Sequence, residues 1–159
     1  MHSPAPGPRT EFVHRFADHW AGGGGSRIEG LIAGYLLADE SDGVSAEELT
    51  AELRISRGSV STYTRQLVGR GFVRRVRKPG ERAHYFLMDD DVWAGFLAAE
   101  QEYLRAQRQL AAETLPLVAE GGRSWQRIRN MRDYMGWLVE ARLPGEWEQF
   151  KRERDAPAP

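Results

Sequence analysis

The sequence contains no cysteine among its 159 residues. This absence excludes a disulfide framework, a zinc site with thiolate ligands and a cysteine nucleophile, and it fits a reducing compartment. The opening residues, MHSPAPGPRT, lack the apolar segment of a secretory signal. No apolar run reaches the roughly 18–20 residues of a membrane span. We therefore expect a soluble, cytoplasmic protein.

Catalytic signatures are also missing. Four histidines are present, and His14 and His19 are five residues apart, a spacing that does not place both squarely on one helix face. The sequence has no HExxH, no GxSxG, no P-loop and no glycine-rich fingerprint after a strand. The run AGGGGS follows a helical pattern, so it is weak evidence for a phosphate cradle. We expect no enzymatic activity, no cofactor and no metal.

Charge is unevenly distributed along the chain. The formal net charge is only -1, but residues 54–86 contain nine Lys or Arg and a single acid, Glu81. We call residues 54–86 the basic segment. It leaves 13 of the 22 cations and 22 of the 23 acids for the rest of the chain. Such segregation predicts a patch for a polyanion, the alternative being a solvated charged loop.

Composition and periodicity divide the chain into five parts. Residues 1–9 hold three prolines and predict a disordered tail, residues 10–25 a helix with a glycine-rich linker, and residues 26–88 a compact helical and hairpin unit. Residues 89–154 predict a helical region, and residues 155–159 a second tail. The fold class expected is mainly α with a small β-hairpin.

Three serines carry helix start signals within residues 26–88. Ser26 with Glu29, and Ser45 with Glu48, have the spacing of capping boxes, and Ser56 is a third candidate N-cap. The last predicted helix runs from Arg57 to a stop at Gly71. The stretch FVRRVRKPGERAHYFL then predicts a two-stranded hairpin with a Pro-Gly turn.

Two helices joined by a short turn and followed by a hairpin describe a winged helix-turn-helix. In that arrangement the second helix enters a DNA major groove with its N-terminus leading. Its first turns, SRGSVST, are small or basic, and alternation along the first wing strand places Arg75 and Arg77 on one face. The predicted DNA-binding residues are Ser56, Arg57, Gly58, Ser59, Ser61, Thr62, Arg65, Arg75, Arg77, Lys78 and Arg82.

Each of these assignments has an alternative. Ser56 and Ser59 are also explained as helix caps alone, and Arg74 and Arg75 as charges that protect an edge strand. The whole unit could instead be a protein-interaction module without specific DNA binding, although such a module predicts an apolar face. RNA binding fits the charge, but no aromatic platform on a sheet supports it.

The sequence resembles the GbsR-like branch of the MarR-type winged helix-turn-helix transcriptional regulators. The matching elements are RIEGLIAGYLL, SAEELTAEL, ISRGSVS, GFVRRV and PGERAHYF, within about residues 27–93. Thr64 and Gly69 depart from the pattern. The resemblance implies a homodimer that binds a double-stranded, pseudo-palindromic operator, usually as a repressor, and in some members a small-molecule effector that binds between the winged unit and the dimerisation helices.

The second half of the sequence supports a dimer independently. Its apolar residues form a stripe that is too extensive for an exposed helix on a small domain, unless they pack on the winged unit of the same chain. The predicted dimerisation residues are Phe12, Phe16, Trp93, Phe96, Leu97, Tyr103, Leu104, Leu110, Ile128, Met135 and Leu138. A candidate effector pocket is lined by Trp20, Tyr35, Trp93 and Tyr103, which are equally explained as core residues.

Overall fold

The structure, a computed structural model, describes residues 7–157 of the chain. The described residues form two compact units, a first unit that ends at residue 92 and a second unit that begins at residue 93. The fold is mostly helical with one small antiparallel sheet, as the sequence predicts. No helix among the described residues is both long and apolar enough to span a bilayer. Nor do those residues include a group of three or more potential metal-ligating side chains.

The first unit contains four helices and three short strands. The helices are α1 (Pro8–Gly22), α2 (Arg27–Leu37), α3 (Ala46–Leu53) and α4 (Arg57–Gly69), and the strands are β1 (Val44–Ser45), β2 (Arg74–Arg77) and β3 (His84–Leu87). Helix α1 begins at Pro8, two residues before the predicted start at residue 10. Pro8 explains the start, because proline at the first helical position has no amide left unpaired.

The core of this unit lies between α2, α3, α4 and the sheet. Its buried side chains recur at helical spacing, which is why each helix presents one apolar face inward. They are Ile32, Ala33, Leu36, Val44, Leu49, Val60, Leu67, Phe72, Val73, Phe86 and Val92. A smaller cluster of Val13, Ala17 and Leu31 joins α1 to α2.

The sheet has one more strand than the predicted hairpin. Strand β3 pairs with β2 as expected, with Val76 opposite Tyr85, and it also pairs with β1, with Val44 opposite Phe86. The order is β1-β3-β2. Strand β1 has only two residues, too few for an alternating pattern to reveal it in the sequence. It attaches the wing to the segment that leads into α3.

The three predicted helix caps have different outcomes. Ser45 and Glu48 form the reciprocal capping box of α3, and Ser56 Oγ accepts a hydrogen bond from the Ser59 amide at the start of α4. The predicted box at Ser26 is wrong. The Ser26 hydroxyl makes no cap bond at the start of α2, and the Glu29 carboxylate, the other half of the predicted box, turns inward to Trp20 and Arg70.

This difference predicts different costs for two similar substitutions. Ser45→Ala should lower the free energy of unfolding by about 0.5–2 kcal/mol, since it leaves the Glu48 amide without its acceptor. Ser26→Ala is the matched control and should cost less than about 0.5 kcal/mol, within the range of ordinary surface changes. Urea unfolding monitored by circular dichroism measures both. Equal losses for the two variants would contradict the assigned caps.

From Val92 to residue 157, every regular element is a helix. The second unit consists of α5 (Val92–Thr114), a 3-10 turn (Leu115–Leu117), α6 (Arg123–Glu140) and α7 (Leu143–Arg154). The 3-10 turn contains Pro116, which has no amide hydrogen to continue the α-helical hydrogen bonds of α5. Helix α7 has 12 residues and carries a proline in its first turn. The positive φ of Arg142 marks the turn between α6 and α7.

This unit buries few side chains by itself. Among residues 93–157, the buried apolar side chains are Leu104, Ala111 and Leu115. Large apolar side chains of the same residues are exposed in greater number: Trp93, Phe96, Tyr103, Leu110, Leu117, Tyr134, Trp137, Leu143 and Phe150. An isolated unit of this size with so small a core is marginal in stability.

Candidate DNA-binding surface

Helix α4 separates an apolar face from a small, basic one. Val60, Thr64 and Leu67 point into the core of the first unit. The opposite face carries exposed small and basic side chains, namely Arg57, Gly58, Ser61, Thr62, Arg65 and Gln66. Because side chains three or four residues apart share one face of a helix, the side chains of Arg57, Ser61 and Arg65 are presented to solvent together, on the side away from Val60.

Local hydrogen bonds fix the start and the middle of α4. Ser56 Oγ and Ser59 Oγ are 2.9 Å apart, so these two hydroxyls are joined within the cap. Thr64 is buried, and its Oγ1 donates to the Val60 carbonyl at 2.7 Å. That bond satisfies the hydroxyl within the helix, so threonine fits the apolar face.

The wing presents its charges as the alternation predicts. In the β2–β3 ladder, Arg75 lies opposite Phe86 and Arg77 opposite His84, so these four residues share one face. Arg77 Nη2 is 3.3 Å from His84 Nε2. Val76 and Tyr85 occupy the other face, where Lys78 Nζ lies 4.1 Å from the centre of the Tyr85 ring.

A groove of about 610 Å³ runs between α3, α4 and this face of the wing. Three of the predicted guanidiniums line it, those of Arg57, Arg65 and Arg75. The groove also includes Glu47 and His84, which the sequence analysis did not select as site residues. His84 could have been found from its place opposite Arg77 once the hairpin register is known, whereas Glu47 has no such signal.

Glu47, the acidic residue of this groove, pairs with Arg57. Its Oε1 lies 3.5 Å from Arg57 Nη2, and both side chains are more than four-fifths exposed. Pairs of this kind contribute little free energy in water. Arg57 can therefore exchange this partner for a phosphate at small cost.

Three cations of the basic segment contact other groups instead of this groove. Arg70 binds the buried Glu29 carboxylate, with Nη1 and Oε1 2.8 Å apart. Arg74 pairs with Asp89 on the far face of the wing. Arg54 caps α3 with a left-handed backbone, φ 52°, and lines a separate cleft. The other six cations are Arg57, Arg65, Arg75, Arg77, Lys78 and Arg82, the same six that the sequence analysis selected.

Two side chains of the wing, His84 and Tyr85, have pKa values shifted from their usual ones. Partial burial, followed by the charges of Arg75 and Arg77, lowers the pKa of His84 below its usual value. The hydrogen bond that the Tyr85 hydroxyl donates to Glu81 raises the pKa of Tyr85. The lowered pKa favours the neutral form of His84, and Glu81 accepts the hydrogen bond of the Tyr85 hydroxyl at the base of the turn.

The predicted dimerisation residues do not all remain exposed. Leu104 is buried within its own unit, and Phe16 packs beside Trp20 against the core of the first unit. Both side chains are covered at least in part by other residues of the same chain, and the dimer interface stays a prediction. Phe12, Trp93, Phe96, Tyr103 and Leu110 are exposed, and the others are half-buried: Leu97, Ile128, Met135 and Leu138.

The candidate effector residues fall in different surroundings. Trp20 is held by Glu29 and packs edge-on against Phe72, with ring centres 5.6 Å apart. Tyr35 lines a cleft of about 430 Å³ formed with α1 and the end of α3. Trp93 and Tyr103 belong to the second unit and are exposed. The effector pocket stays a prediction.

Comparison with known proteins agrees with this architecture. A model of the MarR family matches residues 36–82, which extend from the end of α2 to the tip of the wing. The HTH-type transcriptional regulator MmpR5 of Mycobacterium tuberculosis is 32% identical over 151 residues, which cover 91% of this chain and 90% of that protein. A crystal structure of a transcriptional regulator superposes with a TM-score of 0.81 at 25% identity, covering 90% of this chain and 99% of the other. The chain therefore belongs to the MarR family of winged-helix, DNA-binding transcriptional regulators.

Proposed function

We propose that this chain is a dimeric, sequence-specific DNA-binding regulator that reads its operator with α4 and the wing. The observation that supports this most directly is the groove between them, where Arg57, Arg65 and Arg75 converge from a helix and a strand. A protein-interaction module would present an apolar surface here. Apart from Glu47, the exposed side chains of this groove are instead cationic or small.

The proposed contacts follow from the dimensions of DNA. A major groove about 12 Å wide admits one helix, so the small side chains of Gly58, Ser61 and Thr62 allow α4 to approach the base edges. Arg57 and Arg65 reach a guanine or a phosphate from the same face. The wing turn places Lys78 and Arg82 beside the next stretch of backbone, where guanidinium and ammonium groups neutralise phosphates.

Replacing Lys78 and Arg82 with alanine tests the wing. The double variant should bind all duplexes more weakly, and it should flatten the slope of log affinity against log salt by about 3–4 per dimer, since two phosphate contacts are lost in each protomer. Fluorescence anisotropy measures this with a duplex selected by the wild-type protein from genomic fragments. An unchanged slope would show that the wing does not contact phosphates.

The second unit supports the dimer. Its exposed apolar side chains include Tyr103, 60% exposed, and Trp137, 68% exposed, whereas few side chains are buried. A second copy would cover this surface and supply the core that the unit lacks. Tyr103 and Leu110 are seven residues apart on α5, so they lie on one face of that helix.

A double variant, Tyr103→Glu with Leu110→Glu, tests this interface. It should convert the dimer to a monomer, because two carboxylates per protomer would lose their hydration at the interface. Arg105→Gln, on the opposite side of α5, is the control and should remain dimeric. Analytical ultracentrifugation distinguishes the two masses. A double variant that still sediments as a dimer would place the interface elsewhere.

Finer features of the proposal rest on the family resemblance. We propose a repressor that acts in the cytoplasm on a pseudo-palindromic operator, and membership of the GbsR-like branch. The motif PGERAHYF supports that branch, and its Glu81 and Tyr85 contact each other in the wing. Release by a small molecule stays a prediction. A reporter gene placed behind the selected operator, with and without the regulator, tests the sign of regulation.

A further inference from the structure

Glu29 carries a buried carboxylate with two hydrogen-bond donors from other helices. It lies on α2 with only 3% of its surface exposed. Each oxygen holds one donor: Oε2 accepts from Trp20 Nε1 at 2.8 Å, and Oε1 accepts from Arg70 Nη1 at 2.8 Å. A buried charge requires such partners, and its cost rises steeply when one is removed. Glu29 therefore links α1, α2 and the end of α4.

The chain around Trp20 is shaped to admit its indole ring. A Cβ atom at Gly25 would lie 2.5 Å from Trp20 Cδ1 and Nε1, and one at Gly30 would lie 2.8 Å from Trp20 Cβ and from the Ala17 backbone. Neither position tolerates a side chain without displacement of its surroundings. Within the run AGGGGS, Gly25 is therefore required by the position of the Trp20 ring.

Arg70 completes the cluster from the far end of α4. It is the C-cap residue of that helix, and its guanidinium carbon lies 5.3 Å from the centre of the Trp20 ring and 5.2 Å from that of Phe72. A guanidinium over aromatic rings and beside a carboxylate is held in one orientation. This cation of the basic segment is directed at Glu29, and not at the groove.

We propose that Trp20, Glu29 and Arg70 are positioning residues for operator binding. They fix the end of α4 against α1 and α2, and so set the angle at which the other end of α4 meets DNA. This inference rests on the proposed function of α4. A helix of 13 residues is about 20 Å long, so a tilt of about 5° at Arg70 would move the first turn by roughly 2 Å. Hydrogen bonds to base edges do not survive such a shift.

Trp20→Phe provides the main test, because it removes one N–H donor, keeps an aromatic ring and changes no charge. We expect affinity for the selected operator duplex to fall about tenfold with no change in the salt slope. Arg70→Met should give a similar loss with the same slope, and Arg70→Lys should recover part of it. Combining Trp20→Phe with Arg70→Met should cost less than the sum of the two, because both act through Glu29.

Two controls separate positioning from other roles. Arg15→Met removes an exposed guanidinium of α1 that pairs with Glu11, and should leave affinity unchanged. Arg65→Ala should lower both affinity and slope, as a direct DNA contact does. Thermal unfolding, measured in parallel, checks that each variant is folded at the temperature of the binding assay. If Arg70→Met is unfolded there, Trp20→Phe decides the question.

Two results would overturn the positioning role of Trp20, Glu29 and Arg70. A lower salt slope for Arg70→Met would make Arg70 a phosphate contact and overturn the inference. So would wild-type affinity in Trp20→Phe, which would reduce the cluster to a structural support. Either result leaves the proposed function intact. A wild-type protein that binds no duplex, even in dilute buffer, would overturn the proposed function and this inference together.

Discussion

Operator binding should fall by more than a hundredfold in the variant Arg57→Ala/Arg65→Ala/Arg75→Ala. These three guanidiniums line the groove between α4 and the wing. Each is expected to contribute about 1–3 kcal/mol, so the three together contribute at least about 3 kcal/mol per protomer. Since about 1.4 kcal/mol is tenfold in affinity, the loss exceeds a hundredfold. Anisotropy titrations against the selected duplex measure it.

A variant of equal charge provides the control for this result. Arg15→Ala/Arg54→Ala/Arg74→Ala also removes three guanidiniums from the first unit, but these pair with Glu11, line a separate cleft or pair with Asp89. Its affinity should fall far less, through the general field of the molecule alone. Equal losses in the two triple variants would show that overall charge, rather than the groove, determines binding.

Stability should respond most to a change at Leu67. This side chain is completely buried in the core of the first unit, on the face of α4 opposite the basic one. Leu67→Ala should lower the free energy of unfolding by about 2–5 kcal/mol, because it removes buried methyl groups and leaves a cavity. That is a large fraction of the roughly 5–15 kcal/mol that stabilises a typical domain. Urea unfolding at 25 °C measures the change.

Leu67→Met is the matched variant. It keeps the volume and the apolar character, so the cost should stay below about 1.5 kcal/mol. If alanine costs no more than methionine, the site is less tightly packed than the structure indicates. Operator affinity of Leu67→Met should remain near the wild-type value, because the basic face of α4 is untouched.

The features that sequence analysis predicted well are those determined by neighbouring residues. Ser56 at the start of α4 and the hairpin around Pro79 and Gly80 depend on local backbone chemistry. Alternation along β2 placed Arg75 and Arg77 together, because a strand has a fixed period of two. The helical spacing of Val60 and Leu67, which places both in the core, is equally local.

The features it missed depend on residues far apart in the chain. Ser26 and Glu29 have the spacing of a capping box. The Glu29 carboxylate instead accepts a hydrogen bond from Arg70, 41 residues further along the chain. No local pattern reveals that competition. Strand β1 is equally hidden, because its pairing with Phe86 exists only once the wing has folded. Whether Tyr35 forms part of an effector site also depends on tertiary packing.

The small core of the second unit has a consequence for how this regulator behaves in the cell. If association supplies the missing burial, the folded state of α5, α6 and α7 is linked by mass action to the amount of the chain present. At low abundance the chain would then be less stable and more accessible to proteases. Synthesis rate would set both the number of molecules and the lifetime of each one.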